Sequence, residues 1–183
     1  MDPSILLAAR VLGTLVFGMA VIGKLRHREE FVGVVANYRL LPEALAAPVA
    51  WLVVILETLV VLALFSGIAL VGGAVLAILL LCAFAVAMTI NLARGRKEID
   101  CGCFQSALRQ RLSVALIVRN LVLIALMLPL PEYATPPTSL ASLSLLQMVD
   151  GIGGGIVLFV LYQVFGQVLA LRDAAAALHK RFS

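Results

Sequence analysis

Five stretches of this chain, at about residues 4–23, 45–66, 68–90, 112–130 and 150–171, are apolar throughout and hold at most one charged residue apiece. That feature leaves few folds open. About 20 apolar residues match the roughly 30 Å of hydrocarbon in a bilayer, and in lipid each backbone polar group needs an internal partner, which makes such spans helices. Composition agrees: 63% of residues are hydrophobic and 13% charged, against about a quarter charged in soluble domains. The expected fold is an all-α integral membrane protein, a bundle of five transmembrane helices with a four-helix core and a C-terminal fifth. Nothing between the spans is long enough for a soluble domain, so residues 1–183 read as a single transmembrane domain. The first stretch lacks a basic lead-in, carries Arg10 and has no small-residue cleavage site before "KLRHREE". It reads as a retained span, not a secretory signal.

The net charge of +4 is a topology signal, not a nucleic-acid footprint. With five spans, segments 24–43, 91–111 and the tail from 172 fall on one side and hold twelve Lys and Arg, counting Lys24; the other side holds none. Basic loops stay cytoplasmic, so the N-terminus is expected outside and the C-terminus inside. Segment 24–43 spaces Phe31, Val34, Val35, Tyr38 and Leu41 on one helical face. It is expected as a short interfacial amphipathic helix ending at Pro42. The proline-rich stretch at 131–149 is the main outer loop. The fifth span opens "DGIGGG"; Gly151 and Gly155 allow close helix approach. The alternative is an unwound helix start beside Asp150.

Chemistry concentrates in "NLARGRKEIDCGCFQ", residues 91–105, where Cys101 and Cys103 flank one glycine. Thiolates attack disulfides, and nearby cations favour the thiolate. Arg94, Arg96 and Lys97 lie upstream, while Glu98 and Asp100 oppose them. A disulfide between residues two apart is tight, hence easily reduced. Such a pair is a poor staple and a good exchange partner. Zinc needs four ligands, and the chain has three Cys and two well-separated His. Copper(I) accepts two thiolates, so a Cys-x-Cys copper carrier stays open. Cys82 lies about 14 Å below the helix end near Asn91; it reads as a buried small hydrophobe or as a third thiol.

Charges inside spans are expensive and point to function. Arg10 lies about 9 Å, and Glu57 about 13 Å, from the outer ends of their helices. Those depths are compatible with an Arg10–Glu57 ion pair, with Asp150 as a second partner for Arg10. Arg119, followed by Asn120, lies about 10 Å from the inner side. It is expected to hold the acidic edge of the cysteine loop, a thiolate or a quinone oxygen.

Taken together, "KL" at 24–25, "YRLLP" at 38–42, the glutamate in "ILETLVVLAL", "NLARGRKEIDCGCF" at 91–104 and "VRNLVLIALM" at 118–127 resemble the MauE family of methylamine-utilisation membrane proteins, relatives of the DoxX-type membrane proteins. The resemblance covers about residues 5–130. It implies an inner-membrane protein that matures the disulfide-rich, periplasmic small subunit of methylamine dehydrogenase, beside a thioredoxin-fold, MauD-like partner.

The expected function is thus a membrane thiol–disulfide oxidoreductase or electron relay, in which Cys101 and Cys103 exchange. Arg119, Asn120, Asp100, Glu57, Lys24, Arg10 and Asn91 support them, Cys82 is a candidate third thiol, a quinone is the candidate cofactor, and no metal is expected. A non-enzymatic assembly factor or copper(I) carrier is the alternative. Charge bias puts the cysteines inward while the client lies outside. Relay through Cys82 or a quinone, a rocking bundle and inverted topology each resolve this.

Overall fold

The protein is described here by a computed structural model covering residues 2–96, 112–133 and 144–182. Helix α1 (Pro3–Arg26) starts where Asp2 accepts a hydrogen bond from the Ser4 amide at 3.0 Å, with Pro3 in the first turn. Both are favoured helix starts, because the first amides have no partner within the helix. At His27 the backbone leaves helical geometry and turns into α2 (Arg28–Asn37). A 3-10 turn (Glu43–Leu45) leads into α3 (Ala46–Ser66), followed by α4 (Leu70–Ala93), α5 (Val114–Met127), α6 (Pro129–Tyr133) and α7 (Leu145–Phe182). Among the described residues, five helices are long and apolar enough to cross a membrane, and no strand is present. Pro129 and Pro131 break the fourth span into α5 and α6.

The core lies between four spans. Leu12, Val16 and Phe17 of α1 interlock with Val60 and Leu64 of α3, Ala74 and Leu81 of α4, Leu123 and Met127 of α5, and Leu130 of α6. Helix α7 adds only partly buried Phe159 and Tyr162 to that cluster. The arrangement is the expected four-helix core with a fifth helix outside it. Large apolar side chains such as Leu62, Leu79 and Leu161 cover the exterior. In water they would be a liability; in hydrocarbon they are what a spanning helix needs.

The fifth helix is longer than the sequence suggests. It begins at Leu145, not near residue 150, and continues unbroken through the glycines to Phe182. The unwound start is therefore corrected in favour of close packing. A Cβ on Gly151 would sit 2.8 Å from Leu7, and one on Gly155 would sit 2.6 Å from Val11 Cβ and 2.8 Å from the Ala8 carbonyl oxygen. Two missing side chains let α7 lie against the backbone of α1.

Helix α2 is amphipathic, as its spacing predicts, but shorter. Phe31 is buried against Ala50 and Val54 of α3, while Val34 packs with Tyr38 against Met88 and Leu116. Helical structure stops at Asn37, because Arg39 adopts a left-handed φ of 47°. Leu41, beyond that break, is exposed instead of continuing the apolar face.

The α1–α7 contact yields a direct expectation. Gly155→Ile should push α7 away and cost about 1–3 kcal/mol, the usual penalty for overpacking. Gly153→Ile is the control, since a Cβ there meets nothing within 4 Å. Unfolding by SDS in mixed micelles should separate the two variants, with only Gly155→Ile losing midpoint.

Candidate functional site

Lys24 and Glu57 form a buried ion pair, with side chains 4% and 1% exposed. Its geometry follows from helix stereochemistry. Side chains lean toward the N-terminus of their own helix, and α1 and α3 run antiparallel. Lys24, near the end of α1, therefore leans back into the bundle, and Glu57, midway along α3, leans to meet it. The ammonium lies 5.1 Å from the ring centroid of Phe31 on α2 and 5.3 Å from that of Phe84 on α4. Both distances are within cation–π range. One ammonium thus gathers four helices. The other carboxylate oxygen of Glu57, Oε2, has no hydrogen-bond partner among the described residues.

This pairing corrects two expectations. Lys24 is not a loop charge, because it is buried inside the bundle; eleven other basic residues remain as the topology signal. Nor does Glu57 pair with Arg10. The Arg10 guanidinium turns to the C-terminal end of α3, where Nε donates to the Leu64 carbonyl and Nη2 to the Phe65 carbonyl at 2.7 Å. The last carbonyls of a helix lack intrahelical donors and carry the negative end of its dipole. Similar depth made a carboxylate partner plausible, but the free carbonyls beside Gly67 lie on the side Arg10 faces. Asp150, the other candidate, is exposed near the start of α7.

The cysteine-bearing segment leaves the described structure at Arg96 and re-enters at Leu112; Cys101, Cys103, Asp100 and Glu98 lie outside the described residues. Its two roots are well defined. At the end of α4 the Gly95 amide donates to Leu92 and the Arg96 amide to Asn91, with Gly95 at a φ of 74°. This is the paired 6→1 and 5→2 pattern of a Schellman cap, whose left-handed residue favours glycine. The cap aims both arginines at the α2–α3 linker. Arg96 Nη1 donates to the Tyr38 carbonyl at 3.5 Å and to Asn91 Oδ1 at 3.3 Å, and Arg94 Nη1 to the Arg39 carbonyl at 3.5 Å. The second root, Leu112, is buried in one cluster with Tyr38, Met88 and Leu116. Both roots therefore converge on Tyr38. From the sequence, Arg94 and Arg96 read as topology charges and as cations near the thiols, not as a clamp on the linker. The available signal was the glycine just past the last apolar position of α4.

The remaining candidates divide. Asn91 is fully buried and donates to the Ala87 carbonyl at 3.1 Å. Arg119, 5% exposed, stacks on Tyr162 of α7 with 4.8 Å between guanidinium carbon and ring centroid. Neighbouring Asn120 is buried, and its Nδ2 lacks a hydrogen-bond partner among the described residues. The expected contact of Arg119 with the acidic edge of the cysteine loop falls outside the described residues. Cys82 is exposed on the outer face of α4, which corrects its expected burial. The structure thus unites Lys24 with Glu57 and Asn91 with the loop root, and puts Arg10 at the opposite end.

Comparison with known proteins supplies the lineage. The family described as "Methylamine utilisation protein MauE" matches residues 2–131. Proteins named "Methylamine utilization protein MauE" are similar to this chain. That of Paracoccus denitrificans is 40% identical over 161 residues, covering 88% of this chain and 85% of the relative. That of Paracoccus versutus is 38% identical over 163 residues, covering 88% and 85%, and that of Methylophilus methylotrophus 34% over 162 residues, covering 88% and 84%. No solved structure matches. The chain belongs to the MauE family and is a multi-pass membrane protein.

Two expectations follow from the geometry. Removing one partner of a buried ion pair strands the other charge and costs about 3–5 kcal/mol, whereas an apolar replacement of both is often close to neutral. Lys24→Met and Glu57→Leu should each destabilise strongly in SDS unfolding, and the double variant should recover most of the loss. Gly95→Ala should cost about 1 kcal/mol through its left-handed backbone alone, because a Cβ there meets no neighbouring group within 4 Å. Proteolysis within residues 97–111 should accelerate in that variant while the global unfolding midpoint moves little.

Proposed function

We propose that this MauE-family protein is an inner-membrane thiol–disulfide oxidoreductase or electron relay that serves methylamine utilisation. Cys101 and Cys103 are the exchanging pair. A thioredoxin-fold, MauD-like protein is the exchange partner, and the client is an exported, disulfide-containing protein, which in the family is the methylamine dehydrogenase small subunit.

The observation that carries this reading is the convergence of both roots of the cysteine-bearing segment on Tyr38, in the half of the bundle that also holds Lys24, Asn91, Arg119 and Asn120. Phe84 links the two regions, packing against the Tyr38 cluster and lying beside the Lys24 ammonium. Buried polar and charged groups are costly in a membrane and are kept where they serve a site. A disulfide spanning one residue turns over easily when its loop is short and its ends are held. Charge distribution supports an outward N-terminus and inward C-terminus, since with five spans the eleven remaining basic residues all belong to segments on one side.

Thiol–disulfide exchange passes through a mixed disulfide, so trapping tests the reading. Either Cys101→Ser or Cys103→Ser should accumulate a mixed disulfide with a co-produced thioredoxin-fold partner, seen as a reductant-sensitive band on a non-reducing gel. Absence of that band in both variants, with client maturation intact, would defeat the proposal. Stoichiometric copper lost on Cys101→Ala would point to a metal carrier instead.

A further inference from the structure

Helix α7 packs chiefly against α1. Gly151, Gly155 and Ala170 on that side are buried, the two glycines against α1 itself. On the opposite face Val157, Val160, Val164, Gln167 and Leu171 recur at alternating intervals of three and four residues. The four apolar members are 51% to 58% exposed, and Gln167 is exposed with them. Such spacing keeps one stripe turned toward a neighbouring helix, as the a and d positions of a coiled coil do. Hydrocarbon covers valine and leucine readily. It cannot satisfy Gln167, whose carboxamide has two N–H donors and a carbonyl acceptor.

Depth sharpens the problem. Asp150 and Arg172 bound the uncharged stretch of α7 and stand about 33 Å apart along the helix, close to the thickness of the hydrocarbon layer. Gln167 lies about 7.5 Å inside the Arg172 end. Side chains lean toward the N-terminus of their own helix. The carboxamide is therefore carried deeper into the lipid, not back to the interface.

We propose that this stripe is the interface of a parallel homodimer, in which the Gln167 carboxamides of two copies hydrogen-bond to each other. Charge complementarity selects the occupant. In a two-fold pair the same patch meets itself, so a polar group at the centre must be donor and acceptor at once. A carboxamide qualifies, with partial positive charge on its amide hydrogens and partial negative charge on its oxygen. Insertion gives every copy the same orientation, so the two α7 helices run parallel and Gln167 falls opposite Gln167. Interhelical hydrogen bonds of this kind hold spanning helices together where apolar packing has no advantage over lipid. Valine at 157 and 164 suits two strands, and one polar residue in an apolar seam fixes the register. Gln163, one turn earlier and half-buried, flanks the contact.

Förster transfer between copies carrying donor and acceptor fluorescent proteins at the C-terminus measures association in liposomes as lipid is added. Wild type should show transfer that falls with dilution. Gln167→Leu, similar in size and at ease in lipid, should lose transfer at about tenfold less lipid, equivalent to about 1.4 kcal/mol of interhelical hydrogen bonding. Gln167→Asn, which keeps donor and acceptor on a shorter arm, should recover part of the loss. Oxidative cross-linking reads the contact separately, in a Cys82→Ser/Cys101→Ser/Cys103→Ser background with one cysteine introduced. Val160→Cys and Val164→Cys should form disulfide-linked dimers, whereas Phe165→Cys, exposed at a similar depth but on another face, should not. Equal transfer in wild type and Gln167→Leu at every lipid ratio would overturn the proposal. So would cross-linking of Phe165→Cys as strong as that of Val164→Cys. A monomeric wild type that retains another membrane protein through Gln167 would also overturn it and give the stripe to a different partner.

Discussion

The Lys24–Glu57 pair is the interaction on which the rest of this bundle depends. Two charges taken out of water are tolerated only while each compensates the other, so α1 and α3 are held in one register. The same ammonium faces Phe31 and Phe84, which extends that register to α2 and α4. Apolar packing alone would leave helices in a membrane free to slide, since lipid tails are as apolar as the side chains they replace. A buried ion pair does not slide. The linker after α2 is positioned in consequence, and the roots of the cysteine-bearing segment rest on that linker.

Length and hydropathy made the spans legible, because a membrane imposes one length on each crossing helix. The glycines of α7 were legible as a contact for a similar reason: a side chain absent at both Gly151 and Gly155 means a neighbour can come close. Partner choice was not legible. Arg10 and Glu57 have compatible depths, but depth along the membrane normal says nothing about azimuth. The inward lean of Lys24 from the end of α1 also hides it among the loop cations when charges are merely counted. Cys82 failed for the same reason, since an apolar span has no polar face by which to tell lipid from core.

The candidate site brings together segments that are distant in the chain. "KL", "YRLLP", the glutamate of α3 and "RGR" occupy separate stretches, and the fold joins them through an ion pair, two ring faces and a set of hydrogen bonds. The two ends of the bundle differ in kind. At one, Arg10 closes the carbonyl end of α3. At the other, Asn91, Arg96 and Tyr38 hold the base of the cysteine-bearing segment, with Asn120 and Arg119 buried on the adjoining helix.

The arginine clamp on the α2–α3 linker reads main chain. Arg94 and Arg96 bind the carbonyl oxygens of residues 39 and 38, and every amino acid offers a carbonyl there. As far as this clamp is concerned, drift in side-chain identity at position 39 is therefore neutral. Drift in backbone preference is not, because the left-handed φ of Arg39 admits glycine or asparagine readily and penalises β-branched residues. Position 38 carries a second constraint through the packing of its ring with Met88 and Leu112. Among divergent relatives, variation at 39 should thus be broad in charge and size but narrow in branching, while an aromatic or bulky apolar residue persists at 38.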